Sequence, residues 1–417
     1  MYISLNERGD GEQPSKGNAQ VKRRVSSVVI TLGVVSELTD VSSESVAAIL
    51  PLYFTSAMGL STIAYGFIDG LYQGVSAVVQ IGGGWASDRV DQPKWIAFFG
   101  YGISVLAKVW LLFAGGFAMI IAVVTVDRLG KGVRTGPRDA LITASSDPSN
   151  LGRSFVVHRM LDTIGAAVAP LLAFVILYFV PTGYTTVFVA SLAFAIVGVL
   201  LLGLLVPNRR PRSERAAANS EPRRPFRWRN LNDSRLRRLM LAAGVLGLLT
   251  VGDGFIYLVL QARGSFAAQL FPLLYVGTNV AFFVFAAPLG RLADRFGRVR
   301  VFVIGHGALL AAYALTALPV GGATITILCM VLFGFFYAAT DGVLAAQFSP
   351  PDNTASGIAA TQTVVAVTRL IASTSFGILW FAVGRVDAML IVAAVLALAL
   401  PAAVVILRAL DTAAKTT

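Results

Sequence analysis

Charge is scarce in this chain. Of its 417 residues only 13% are Asp, Glu, Lys or Arg, about half the share of a soluble domain, so there is too little polar surface to coat a globule in water. Cysteine is nearly absent. Cys329 stands alone, which excludes an internal disulfide and leaves no thiol companion for a metal site. Histidine is limited to His158 and His306. No nucleophile–base arrangement, metal-ligand spacing or phosphate-binding loop occurs, so the sequence points away from an enzyme and calls for no cofactor.

What the chain has in abundance is apolar length. It is 56% hydrophobic, and its mean hydropathy is +0.73. Spanning a bilayer takes about 20 apolar residues in a helix, and runs of that length recur almost end to end. They predict an all-α integral membrane protein of twelve transmembrane helices: Val25–Phe54, Ile63–Ala86, Trp95–Phe113, Phe117–Ile142, Phe155–Phe179, Thr185–Val206, Leu239–Gln261, Ala268–Leu289, Val299–Leu318, Ala323–Ala346, Ile358–Phe381 and Ala388–Arg408. The first run holds three acids and no cleavage site follows it, so it reads as a retained helix, not a signal peptide.

The net charge of +12 does not signal a nucleic-acid partner, because the Arg residues sit between apolar runs and no recognition motif accompanies them. Their placement sets orientation instead. Lys22, Arg23 and Arg24 precede the first span, Arg89 and Lys94 lie between the second and third, and Arg291, Arg295, Arg298 and Arg300 lie between the eighth and ninth. On the alternate side only Arg263 and Arg385 approach span ends. Both termini and the central connection are thereby expected in the cytoplasm. The expected organisation is a tail at 1–24, a six-helix bundle at 25–206, a basic linker at 207–238, a second bundle at 239–409 and a short tail at 410–417.

An internal repeat fixes the architecture. Gly84-Trp85-Ala86-Ser87-Asp88-Arg89 follows the second span and Gly290-Arg291-Leu292-Ala293-Asp294-Arg295 follows the eighth, an offset of 206 residues. Arg138-Asp139-Ala140-Leu141 and Thr340-Asp341-Gly342-Val343 repeat at an offset of 202. Asp40 and Asp253 form a looser third match. Three matches in one order imply a tandem six-plus-six duplication, the parallel repeat of a transporter.

On these residues the sequence resembles the major facilitator superfamily from about Val25 to Arg408. The signature loop Gly-x-Leu-x-Asp-Arg-x-Gly-Arg is complete at Gly290, Leu292, Asp294, Arg295, Gly297 and Arg298. The first copy keeps Gly84, Asp88 and Arg89 but has Ala86, Asp91 and Gln92 elsewhere. Arg128-Leu129-Gly130-Lys131-Gly132 is similar to an Arg-x-x-x-Gly motif of proton-coupled members. Gly165 through Pro170 looks like a reduced antiporter motif, with Ala169 in place of a glycine. The resemblance implies two pseudo-symmetric bundles rocking about a central cavity, gates at the two Asp-Arg loops, and a cavity lined by the first, fourth, seventh and tenth helices.

Charges inside a bilayer cost about 2.5–3.5 kcal/mol each at a helix centre, so they usually act. Glu37, Asp40 and Glu44 fall on one stripe of the first span, about 10 Å long. The fourth span answers with Asp127, Arg128, Lys131, Arg134, Arg138 and Asp139 within about 140° of arc. Asp40, Glu37, Arg128 and Asp253 are therefore the candidates for proton coupling. Glu44, Asp127, Lys131, Arg134, Gln73 and Asp341 are candidates for the substrate cavity. His158 and Asp162, four apart on the fifth span, join Gly84, Asp88, Arg89, Gly290, Asp294, Arg295 and Arg298 as candidate gating residues. Lys108 has no partner evident in sequence, and Arg369 is expected to pair with an acid of another helix.

The expected activity is proton-driven antiport of a small organic compound across a bacterial cytoplasmic membrane, by a monomer with no partners beyond substrate, protons and lipid. The rival readings are a proton symporter importing a polar nutrient or organic anion and, more remotely, a nontransporting receptor or scaffold.

Overall fold

The computed structural model describes residues 25–90, 92–147, 150–208, 234–318, 321–347 and 354–413. The tail before Val25 and most of the central basic linker lie outside the described residues. Helices occupy nearly all of what is described, in the order α1 (Ser27–Ala47), α2 (Thr62–Val90), α3 (Pro93–Leu111), α4 (Phe117–Ser145), α5 (Leu151–Phe179) and α6 (Tyr184–Leu205). The second half continues with α7a (Ser234–Leu248), α7b (Asp253–Gly264), α8 (Pro272–Phe296), α9 (Arg298–Ala317), α10 (Ala323–Gln347), α11 (Thr354–Val383) and α12 (Arg385–Ala413). Nine helices among the described residues are long and apolar enough to cross a membrane. Neither α1 nor α4 is among them, because each carries three or more ionisable side chains.

The packing repeats with the chain. In the first half α1 lies against α5 and α6, α4 against α2 and α3, and α3 against α6; in the second, α7a lies against α11 and α12, α10 against α8 and α9, and α9 against α12. A close backbone approach shows the same repeat: a Cβ on Gly100 of α3 would stand 2.9 Å from Arg134 Cβ, and one on Gly305 of α9 would stand 2.7 Å from Ala339 Cβ. Both partners shift by 205 residues, in line with the sequence offsets.

The halves meet along α2–α11 and α5–α8. Gly66, Gly70 and Gly74 recur every fourth residue on α2. A Cβ on Gly70 would lie 2.7 Å from Leu370 Cδ1, and one on Gly74 3.2 Å from the Ala366 carbonyl. Small residues at this spacing let helices approach closely in lipid, where water supplies no hydrophobic drive between them. At the end remote from the linker, called here the hairpin side, Thr62 Oγ1 donates to the Gly377 carbonyl at 3.1 Å.

Two spans depart from the sequence reading. The seventh, expected unbroken over Leu239–Gln261, leaves the helix between α7a and α7b. The Thr250-Val251-Gly252 run is poor in helix formers, and Tyr313 replaces the lost backbone partners. Its hydroxyl accepts from the Val251 amide at 2.8 Å and donates to the Leu249 carbonyl at 3.1 Å, which a membrane-buried break requires. The first span bends after Ala47, resumes at Leu50–Leu52 with Pro51 in the opening turn, and ends in a π-helical turn at Tyr53–Ala57. Between α8 and α9 the chain turns at Gly297 with φ +96°, a backbone region that favours glycine. That is the local reason for the second glycine of the loop motif.

Candidate substrate cavity and its charged wall

The two halves enclose a cavity of about 860 Å³, lined by parts of α1, α2, α4, α5, α7b, α8, α10 and α11. The volume falls in the range of small-molecule sites. Over its hairpin side lies an aromatic layer that joins the halves. Phe255 of α7b stacks edge-on with Tyr65 of α2 at 4.7 Å between ring centroids and with Phe376 of α11 at 4.9 Å, and lies 5.5 Å from Trp380. Gly254 makes room for this layer, since a Cβ there would collide with the Tyr65 hydroxyl and stand 2.7 Å from Pro51.

One wall of the cavity is α4, and most of its cations are held by specific partners. Arg128 donates to Asp127 through Nε at 3.1 Å and Nη2 at 2.5 Å, while its guanidinium lies 3.7 Å from the Tyr72 ring centre. Lys108 of α3 reaches the same carboxylate at 3.1 Å and Ser43 Oγ at 3.3 Å. Asp127 thus neutralises cations from two helices at the back of the wall and does not line the cavity, contrary to its sequence assignment. The partner of Lys108 is thereby identified. Arg134, only 3% exposed, donates to Ser104 Oγ at 3.0 Å and lies over the Tyr101 ring at 4.6 Å. Lys131 and Glu44 face each other at 3.7 Å, each about one-third exposed.

Towards the linker side the wall becomes a three-helix cluster. Arg138 of α4 contacts Asp139 at 3.1 Å, Ser36 Oγ of α1 at 3.1 Å and Asp162 of α5 at 3.8 Å. Ser36 donates to Asp162 at 2.6 Å, and the exposed Arg159 approaches the same carboxylate at 3.4 Å. Asp40 of α1 lies within hydrogen-bonding reach of Asp162.

At the other end Asp69, Gln73, Asp253, Tyr257, Tyr275, Tyr337 and Arg369 line the cavity. Ser373 donates to Asp69 at 2.7 Å, Tyr337 donates to Asp253, and Arg369 reaches Gln73 Oε1 at 3.4 Å. Arg369 thus reaches an amide of α2, with Asp69 of the same helix within its electrostatic reach. Asp253 opens α7b, where the helix dipole favours an anion.

Of the residues singled out in sequence, the fold brings Asp40, Glu44, Arg128, Lys131, Arg134, Asp162, Gln73 and Asp253 to the cavity. Glu37 is not among the lining residues; its backbone packs against Gly165 of α5, where a Cβ would stand 2.5 Å from the Glu37 carbonyl. The expected His158–Asp162 pairing is replaced by the Ser36 and Arg contacts, and His158 Nε2 is buried with no hydrogen-bond partner among the described residues. Gly290, Asp294 and Arg295 occupy the exposed end of α8, with the Arg295 guanidinium 5.3 Å from the Phe296 ring. The side chains of Asp88, Arg89, Arg298 and Asp341, and the surroundings of Gly84, lie outside the described residues. Nothing along the chain marked Tyr65, Tyr257, Tyr275 and Tyr337, since aromatics in an apolar span look like any core residue. The one available signal was the phenol itself, which needs a partner when buried.

Two helical bundles that repeat each other's packing around a shared charged cavity define a membrane transporter of the twelve-helix class. The sequence profile of the Major Facilitator Superfamily matches residues 32–373, and the chain belongs to that superfamily, a family of transporters and not of enzymes. An uncharacterised MFS-type transporter of Methanocaldococcus jannaschii is 28% identical over 382 residues, covering 88% of this chain and 92% of the relative. An uncharacterised protein of Mycobacterium tuberculosis is 27% identical over 281 residues, 66% of this chain and 68% of that protein. Among solved structures, the nucleoside transporter NupG superposes with a TM-score of 0.74 at 15% identity, over 91% of this chain and 99% of that one. A POT family transporter in complex with a thioalcohol-conjugated peptide gives 0.74 at 12%, over 92% and 96%. The human organic anion transporter MFSD10 gives 0.62 at 14%, over 89% and 98%. At these identities the likeness concerns the fold.

Proposed function

We propose that this transporter is a proton-coupled antiporter that exports a small organic compound from a bacterial cytoplasm by alternating access, working as a monomer. The observation that carries the coupling is the meeting of Asp40 of α1, Asp162 of α5 and Arg138 of α4 on the cavity wall, with Arg138 3.8 Å from Asp162. With a proton between them the two carboxyls hold α1 and α5 together. Losing it leaves two like charges in contact where water is scarce, and the pair separates. A proton taken on one side of the membrane and released on the other thus biases which arrangement of α1, α4 and α5 is stable. Asp40 is the carrier, Asp162 its partner and Arg138 the counter-charge that moves with them.

The Lys and Arg excess supports a cytoplasmic linker side, with the aromatic layer at Phe255 then closing the outer side. Export is supported by the Gly165–Pro170 pattern on α5, where Gly165 seats the α1 backbone beside the carboxyl pair. The Lys131–Arg134 face favours a second reading, proton symport of an anionic nutrient.

Purified protein in liposomes with an imposed pH gradient, assayed against a compound panel chosen from a growth screen of the deletion strain, tests the proposal. Asp40→Asn is expected to abolish gradient-driven transport while keeping energy-independent exchange. Wild-type gradient-dependent transport by Asp40→Asn removes Asp40 as the carrier, and flux in the direction of proton entry replaces antiport with symport.

A further inference from the structure

Two amides occupy matching positions in the halves. Gln73 of α2 and Asn279 of α8 stand 206 residues apart, the same offset as Gly84 and Gly290 further along those helices. Both line the cavity, so each half presents one carboxamide to it at the same point of the repeat. An amide within a bilayer usually bonds a neighbouring helix. Gln73 does so with one of its two groups. Its Oε1 accepts from Arg369 of α11 at 3.4 Å, which leaves the NH2 donors for the cavity. The Asn279 side chain makes no hydrogen bond to another described residue, and so keeps both its carbonyl and its NH2.

Rings flank the free amide. Tyr275 precedes Asn279 by one turn of α8 and Phe282 follows it by one, and all three line the cavity. Tyr275 is partly open, and Tyr257 packs edge-on against it at 4.6 Å between ring centroids. A planar group stacked on Tyr275 or Phe282 presents its edge to Asn279. Charge gives no competing direction. Among the described residues, five carboxylates and six cations line the cavity, so its walls offer no large surplus of one sign for an ionic substrate to neutralise. What the cavity leaves unused is neutral hydrogen bonding beside aromatic faces.

We infer that the transported compound is an uncharged planar ring with a lactam or imide edge, gripped by Asn279 on one half and Gln73 on the other. The Asn279 carboxamide pairs with an adjacent C=O and N–H of the ring, donating to the first and accepting from the second. The Gln73 NH2 donates to a carbonyl on the opposite edge. The inference rests on the transporter reading and deepens it by naming the substrate class. Because the two amides belong to different halves, a bound ring bridges the bundles, so occupancy and closure are linked.

The test uses the full-length protein in lipid nanodiscs and titration calorimetry. The probes are glutarimide, hydantoin and uracil, each beside its fully N-methylated form, with benzoate and benzylamine as charged ring controls. The expected result is at least one parent ring that binds about tenfold or more tightly than its N-methylated form and than either control, because methylation leaves the Asn279 acceptor unpaired. Asn279→Leu brings that parent down to the level of its N-methylated form and changes the latter little, since the methyl group already blocks that edge. Gln73→Leu weakens parent and N-methylated form by the same factor, since both keep the carbonyl it serves. This contrast separates loss of a hydrogen bond from loss of fold, which would weaken every probe in both variants. The assignment is overturned if parent and N-methylated form bind alike, if Asn279→Leu keeps the preference, or if a charged control binds more tightly than every uncharged ring. It is also overturned if no uncharged ring binds. Gradient-driven flux of charged compounds would then leave the transporter standing, and no flux of any compound would remove both.

Discussion

Replacing Asp127 by Asn isolates the energetics of the charged wall. Asp127 neutralises Lys108 at 3.1 Å and Arg128 at 2.5 Å, and the three side chains are 13%, 6% and 4% exposed in that order. At an effective dielectric of about 20, a unit pair 3.1 Å apart is worth about 5 kcal/mol, and breaking a buried pair by deleting one partner typically costs about 3–5 kcal/mol. Asp127→Asn deletes the anion that serves two cations and leaves them facing each other, so a loss at the upper end, about 4–5 kcal/mol, is expected. Lys108→Met is a different perturbation. It leaves the Arg128–Asp127 pair intact and removes an ammonium that is costly to bury, so its loss should be about 1 kcal/mol. The double variant Lys108→Met/Asp127→Asn then carries one unpaired cation instead of two and should recover about 1–3 kcal/mol relative to Asp127→Asn. Unfolding of purified protein by SDS titration in mild detergent, followed by helical circular dichroism, measures all three. A double variant less stable than Asp127→Asn, or a Lys108→Met loss equal to that of Asp127→Asn, would refute the assignment of Asp127 as the shared counter-charge.

Two further outcomes follow from the helix break and the helix interface. Tyr313→Phe strips the hydroxyl that serves the Val251 amide and the Leu249 carbonyl, and leaving such buried groups unpaired should cost about 1–3 kcal/mol in the same titration; a change below about 0.5 kcal/mol would mean that the break finds other partners. Gly70→Val pushes a Cβ into Leu370 of α11 and should weaken the hairpin-side closure by about 1–3 kcal/mol. Spin labels on cysteines replacing Ser61 and Val383, with native Cys329 buried, should then report a longer or broader distance than in the parent protein, and an unchanged distribution counts against close α2–α11 packing as the seal.

Much of the architecture was legible along the chain because the membrane leaves few options: apolar length forces helices, and the repeat of the Gly-x-x-x-Asp-Arg loop forces two related halves. The twelve-span reading holds, and only the course of the first and seventh spans departs from it, where packing decides. The Thr250-Val251-Gly252 run is the one local hint that the seventh span breaks, and the break is tolerable only because Tyr313, far along the chain, folds back to satisfy it. The stripe Gly66, Gly70 and Gly74 became recognisable only from its partner, α11, which lies in the other half.

For the site, residue type along the sequence marked α1 and α4 as the helices that carry costly charge into the bilayer. Which charges face the cavity was a tertiary decision. Glu37 and Asp40 are three residues apart on α1 and both lie beside α5, yet the Glu37 backbone packs against Gly165 while Asp40 lines the cavity. Asp127 and Lys131 are likewise one turn apart, yet α3 supplies Lys108 to the first and the open cavity leaves the second loosely paired. The tyrosines around Asp253 come from α2, α7b, α8 and α10, four elements scattered over more than half the chain, and only folding makes them neighbours. Sequence determined the charges, the halves and the bilayer; tertiary structure decided which charges pair and which are left to face the cavity.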